Sequence, residues 1–356
     1  APAAAAQAET GAVPTTAGTL QEVLQWHLDP HPERTQLLCL HEGTEQRISH
    51  RALSEAAAAV GAALQQAGVA PRQCVAIMLP TSPEYFATYF GVLLAGAIPV
   101  PFYPPARASQ LEDHVRRHAG ILANAQAVAL VTVREAMVVA RLLQAQVPGL
   151  RHVLAAAELC EAGRPGAKAL RPVAAHTDDI AFIQYTSGST GNPKGVALTH
   201  ANLLANIRAI AGAWQVNSRD VVVSWLPLYH DMGLIGTWLA SLYVGATLVV
   251  MSPLAFLGRP RRWLEAITRH RGTLAAGPNF AYELCLKTIG DDELTGLDLA
   301  SWRLAGNGAE AVGPDTVRRF VARFGRCGLR PEAMAPVYGL AENTLALLFP
   351  PLGRVA

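Results

Sequence analysis

Short apolar runs that keep returning between helix-like stretches constrain this chain more than any other feature. They read "CVAIML" (74–79), "IPVPFY" from Ile98, "AVALVTV" (127–133), "IAFIQYT" (180–186), "VVVSWLP" (221–227) and "ATLVVM" (246–251). Each is the length of a strand and apolar on both faces, which is what a strand buried between two layers requires. The intervening stretches carry helical spacing. "TLQEVLQWHL" brings Leu20, Val23, Leu24 and Trp26 near one face with Thr19 as its N-cap, and "ISHRALSEAAAAVGAALQQAG" starts at Ser49 and stops at Gly68. "SPEYFATYFGVLLAGA" and "HANLLANIRAIAGAW" follow the same logic. The expected class is α/β, with parallel sheets covered by helices and more than one sheet. At 356 residues, 51% hydrophobic and 16% charged, the chain is long enough for two packed subdomains.

Composition removes several function classes. The formal charge is +2, so no general electrostatic pull toward nucleic acid is expected. Cys39, Cys74, Cys160, Cys285 and Cys327 lie far apart and form no metal-ligand spacing; reduced thiols in a cytoplasmic protein are expected. The longest apolar region (236–251) is too short and too broken by Gly, Ser and Thr to be an integral membrane segment. Residues 1–18 read as an Ala/Pro-rich linker or tail, disordered. "DDE" (291–293) reads as solvated surface, "RPRRW" (259–263) as an exposed helix start, and His200 as a structural or capping group.

The stretch "QYTSGSTGNPKG" (184–195) suits neither helix nor strand. It joins the run "IAFIQYT" to a second strand-like run, "KGVALT". Gly188 and Gly191 lack a Cβ and let backbone amides approach an anion closely. Thr186, Ser187, Ser189 and Thr190 add hydroxyl donors, and Lys194 adds charge. Convergent donors of this kind suit phosphate oxygens. Neither GxxxxGK[ST] nor a GxGxxG after a strand is present.

The whole string resembles the phosphate loop of the adenylate-forming superfamily. Further stations of that superfamily occur in order: "LLAGAIPVPFYP" (93–104), "GNGAE" (306–310) and "YGLAE" (338–342). "SWLPLYHDMGLIGTWLASLYVGATLVVMSP" followed by "GPNFAYELC" resembles the fatty acyl-AMP ligase branch. So do "SWRLAGNGAEAV" and "PVYGLAENTLALLFPP". Three positions depart from the common pattern, Ala341 for Thr, Ala311 for Pro and Asn343 for a small residue, and none is a proposed ligand.

The resemblance implies an ATP-dependent ligase that joins a fatty acid to AMP and loads it onto the phosphopantetheine arm of an acyl carrier protein, in a polyketide or peptide synthase. The alternatives are a long-chain acyl-CoA synthetase and a non-catalytic binding module. It further implies that Thr186, Ser187, Gly188, Ser189, Thr190 and Gly191 clasp the β- and γ-phosphates, with Lys194 steadying the loop or the pyrophosphate. Gly308, Ala309, Glu310 and Tyr338 would line the adenine pocket, and Glu342 would hold Mg²⁺. His230 would orient the acyl carboxylate, with Asp231 as a local hydrogen-bond partner. Met232, Gly233, Gly236, Asn279 and Phe280 would line the acyl tunnel. By the same resemblance residues 19–356 form the N-terminal adenylation domain, ending before a ribose-binding aspartate and a mobile C-terminal domain.

Overall fold

The computed structural model describes residues 12–41, 43–103, 111–161, 169–186 and 194–354. In chain order the strands are β1 (Thr35–His41), β2 (Thr44–Ser49), β3 (Cys74–Met78), β4 (Ile98–Pro101), β5 (Ala127–Thr132), β6 (His152–Ala155), β7 (Ile180–Thr186) and β8 (Lys194–Thr199). They continue as β9 (Val221–Ser224), β10 (Thr247–Met251), β11 (Leu274–Gly277), β12 (Leu304–Asn307), β13 (Met334–Pro336), β14 (Tyr338–Gly339) and β15 (Ala346–Leu348). Every apolar run read as a strand is one. The chain divides into two compact units. One is built from Thr35–Arg47 and the chain from Ala205 onward, with the residues up to Thr16; the other from Ala17–Arg34 and Ile48–Leu204.

The second unit holds a parallel sheet in the order β4-β3-β5-β6. All five residues of β3 are buried, because it is an inner strand covered on both faces, which explains its unbroken apolar run. Helix Leu20–Leu28 begins at a capping box in which Thr19 and Glu22 satisfy each other's backbone N–H. Ser49 caps helix His50–Gln66, and Gly68 follows it at φ +89°. That helix lies so close to helix Pro83–Leu94 that a Cβ at Gly91 would sit 2.6 Å from the Val60 side chain. β7 and β8 pair antiparallel as a separate ribbon, since a loop this short can only turn the chain back on itself.

The first unit holds seven strands in the order β13-β12-β11-β9-β10-β1-β2. From β13 to β1 every pair is parallel. Aromatic rings fill its core. Trp225 stacks on Phe256 at 4.0 Å, and Trp263 meets Tyr282 and Trp302 edge-on. Such pairs add about 0.5–1.5 kcal/mol each beyond their area. Residues 13–18, expected as tail, include buried Pro14 and Ala17, and the Thr15 carbonyl accepts from Arg208. No helix among the described residues is long and apolar enough to cross a membrane.

Candidate active site

β9, β11, β12 and β13 stand side by side and parallel, so their carboxyl ends open at one end of the sheet. Each leads into residues singled out from the sequence. β9 runs on to His230, β11 to Asn279 and Phe280, β12 to Gly308–Glu310, and β13 to Tyr338 and Glu342. Open α/β sheets bind ligands at this end of their strands.

The turn after β9 closes when the His230 N–H donates to the Pro227 carbonyl at 3.2 Å. His230 Nδ1 lies 2.8 Å from Asp231 Oδ1, with the histidine side chain 50% exposed and the aspartate 11%. This hydrogen bond raises the His230 pKa above its ordinary value; burial opposes it, and the aspartate's charge adds to the rise. Nδ1 then donates to the carboxylate, and Nε2 is left to face a ligand. Asp231 also accepts from the Met232 N–H at 2.6 Å and so caps the next element.

That element, Met232–Leu239, winds as a π-helix, a form that recurs at functional sites. Met232 and Gly233 are buried within it. A Cβ at Gly233 would lie 2.2 Å from the Pro227 carbonyl oxygen, so only glycine lets the helix pack against the histidine turn. Gly236 packs toward Leu345 instead, and it lines a narrow apolar cavity of about 50 Å³.

Asn279 opens the helix after β11, and its amide makes three hydrogen bonds. The oxygen accepts from Asn307 Nδ2 at 3.2 Å and from the Gly313 N–H at 3.0 Å, while the nitrogen donates to Thr316. Phe280 is 43% exposed, sits edge-on to Trp225 and donates its N–H to Glu310 Oε1 at 2.6 Å. Asn279 thus fixes the turn after β12, and Phe280 is the ring presented to solvent. Sequence reasoning missed Asn307, whose side-chain oxygen is buried without a partner. A lone amide ending an apolar strand was its signal.

Gly308 is held against Val337, where a Cβ would meet both its carbonyl oxygen and its side chain at 2.6 Å. Next to it, exposed Ala309 has φ +68°, the left-handed region that a residue with a Cβ avoids. β14 and β15 form a short hairpin that carries Tyr338, 56% exposed. Glu342 lies at its tip, exposed and in no ion pair with a described residue. Just beyond it Thr344 sits at φ +72°, ψ −59°, and the Leu345 N–H reaches back to the Asn343 carbonyl at 2.9 Å. This is the strained form of the γ-turn, rare for a β-branched residue, and no sequence signal announced it. Strain of this kind collects where a ligand is held.

In the other unit Thr186 and Lys194 pair across the ribbon and mark the two ends of the glycine loop. Lys194 is exposed. Ser187, Gly188, Ser189, Thr190 and Gly191 lie outside the described residues. His200 is buried at the start of its helix, and its Nδ1 accepts from the Leu20 N–H. Among the described residues no cluster of three His, Cys, Asp or Glu side chains could hold a metal, and Asp291 pairs with Arg323 at the surface.

Over residues 24–355 the chain matches the family described as AMP-binding enzyme. It is 36% identical over 336 residues to the medium-chain-fatty-acid–acyl-carrier-protein ligase JamA of Moorena producens, covering 92% of this chain and 55% of that protein. To the enzyme of the same description, TtuA, in Teredinibacter turnerae it is 50% identical over 171 residues, 48% of this chain and 27% of that one. Among solved structures, the fatty acyl-adenylate ligase from L. pneumophila, in complex with acyl adenylate and pyrophosphate, superposes with a TM-score of 0.87. The identity is 33%, over 96% of this chain and 59% of that one. The chain therefore spans little more than half the length of these proteins, and less of TtuA.

Proposed function

Since the chain belongs to the AMP-binding enzyme family, we propose that its site joins a fatty carboxylate to the α-phosphorus of ATP and releases pyrophosphate. The observation that carries this reading is the row of four parallel strands whose carboxyl ends bear His230, Asn279, Gly308–Glu310 and Tyr338–Glu342. Bond making here demands little covalent help from the protein. It demands two anions brought in line and their charge spread over fixed donors.

In this reading His230, held by Asp231 with its pKa raised, supplies an N–H to orient the carboxylate. The glycine-turn residues Gly308, Ala309 and Glu310, with the exposed Tyr338 ring, take the adenine. Thr186 and Lys194 frame the loop, Ser187 to Gly191, that would grip the β- and γ-phosphates. An exposed carboxylate in no ion pair with a described residue, on a strained hairpin, suits a hard cation, so Glu342 would hold Mg²⁺, which draws charge from the phosphate oxygens when bound. Met232, Gly233 and Gly236 belong to the wall along which the acyl chain runs, with Asn279 bracing it and Phe280 at its mouth.

We further take the acceptor to be the phosphopantetheine thiol of an acyl carrier protein, on the strength of what JamA and TtuA are described as. The two units together would form the N-terminal adenylation part of such a ligase. A cytoplasmic location belongs to the same reading and is supported by five free cysteines. The test is carboxylate-dependent ATP–pyrophosphate exchange with fatty, aromatic and amino acids. Exchange with fatty acids alone supports the proposal; exchange with amino acids, or with none, overturns it. Transfer of the activated acyl group to carrier protein rather than to CoA then decides the acceptor.

A further inference from the structure

Three elements of the seven-stranded unit have one end in the candidate site and the other in the apolar cavity. The π-helix starts beside His230 and reaches the cavity at Gly236, with Ala240 just beyond. β11 and β12 reach the site at Asn279 and Gly308, and the cavity at Ala276 and Leu304. The cavity thus lies down the strands from the site. Leu304 is about 13 Å of strand from Gly308.

The lining has no charged side chain, its two hydroxyls are already spent, and its one polar atom without a partner is the indole N–H of Trp214. Thr237 donates to the Gly233 carbonyl at 2.6 Å, and Ser241 to the Trp238 carbonyl at 2.8 Å. Such a space suits hydrocarbon. At about 50 Å³ the space is small, so it holds the end of a chain and not its whole length.

Its wall is completed by Ile210 and Trp214, and the latter is fixed unusually firmly. Trp214 ends helix His200–Ala213, and the next residue, Gln215, turns at φ +50°. The helix-end carbonyls of Trp214 and Gln215 accept from Arg303 at 3.0 and 3.3 Å. Arg303 in turn makes two hydrogen bonds to buried Asp220, at 3.0 and 2.8 Å, and Thr273 donates to the same carboxylate. The indole ring packs on Phe349 at 5.5 Å. A side chain clamped through its own backbone and braced on its ring cannot swing aside for a longer ligand.

We infer that Trp214 is the stop for the acyl chain, with Arg303 and Asp220 as positioning residues, and that this stop sets the longest fatty acid the site takes. This rests on the proposed fatty-acid reading.

The experiment compares saturated fatty acids of about six to about eighteen carbons in pyrophosphate exchange. It uses the full-length protein and its Trp214→Ala, Ala240→Leu and Arg303→Lys variants, and calorimetry titrates the same acids directly. Each methylene gained or lost in an apolar pocket changes kcat/KM by about tenfold or more. Trp214→Ala should raise the preference for acids beyond the native limit by at least that factor, and Ala240→Leu should move the optimum to shorter acids. Arg303→Lys should widen the profile through KM, where a merely structural loss would lower kcat for every length alike. A length profile that Trp214→Ala and Ala240→Leu both leave unmoved overturns the inference. If exchange fails with every acid but calorimetry still shows a length limit that these variants move, the enzymatic reading falls and the stop stands.

Discussion

The four-stranded unit buries neutral histidines, whereas the seven-stranded unit buries a bonded ion pair. In the first, burial holds His50 and His118 down to about 3 and His114 and His200 to about 4. His114 and His118 stack at 3.8 Å, and neither has a partner for its Nε2. In the second, burial pushes the Asp220 carboxyl up, but hydrogen bonds from Arg303, the Asn217 N–H and Thr273 outweigh it and leave the pKa lowered. There the Asp231 hydrogen bond raises His230, at the candidate site, while His270 is lowered by burial. A charge is kept where it has donors or work to do, and elsewhere it is refused. That difference gives the two units different sensitivities.

Glycine substitutions should separate them most sharply. Gly233→Ala drives a Cβ into the Pro227 carbonyl and should shift the His230 turn. A displacement near 1 Å lowers turnover about a hundredfold, so kcat/KM should fall at least that far. Gly91→Ala strains only the helix pair of the other unit, and should remove about 1–3 kcal/mol of stability while leaving kcat intact. Thermal melts beside exchange kinetics check both. Similar kinetic losses in the two variants would erase the contrast.

Acid should come next. A histidine whose folded pKa lies below its unfolded value near 6.5 binds fewer protons in the fold. Stability is therefore present above that value and falls as pH drops toward 3–4, by about 1.4 kcal/mol per pH unit for each such group. The seven-stranded unit has one such histidine, His270, against four in the other, and Asp220 weakens it only at lower pH, below the unfolded carboxyl value near 3.9. Five of the six tryptophans lie in the seven-stranded unit. On acidification from pH 6.5, circular dichroism should lose amplitude before tryptophan fluorescence shifts; coincident transitions would refute the assignment.

The sequence was legible where one segment carried its own signal. All six apolar runs are strands, Thr19 and Ser49 are caps, and the candidate residues after β9, β11, β12 and β13 were singled out from local strings. The strands β11 and β12 themselves were not read, because "LAAG" and "LAGN" are short and lack the branched residues that announce a strand. The π winding of 232–239 left no trace in a stretch that reads as any apolar helix. The clamp of Arg303 on Asp220 and Trp214 joins residues far apart in sequence, and each alone is an ordinary surface-type or core-type residue.

Two smaller effects sharpen the comparison. Asp231→Asn removes the bond that chiefly raises the His230 pKa. An NMR titration should show that value moving down, and the alkaline limb of the rate profile moving with it; an unmoved titration would detach Asp231 from the site. Gly212→Ala places a Cβ in open space on an exposed helix and should stabilise the seven-stranded unit by about 0.5–1 kcal/mol, without kinetic effect.

β1 is laid down early, yet its sheet neighbour β10 comes some two hundred residues later, after the whole run that builds the four-stranded unit. During synthesis at about 5–20 residues per second, that gap lasts many seconds. The four-stranded unit can close meanwhile, whereas Leu37 to Leu40 must wait as an unsatisfied apolar edge, the kind of surface on which nascent chains aggregate and chaperones act. The stage of life at which this protein is most exposed to loss is therefore set by the order in which its strands are made.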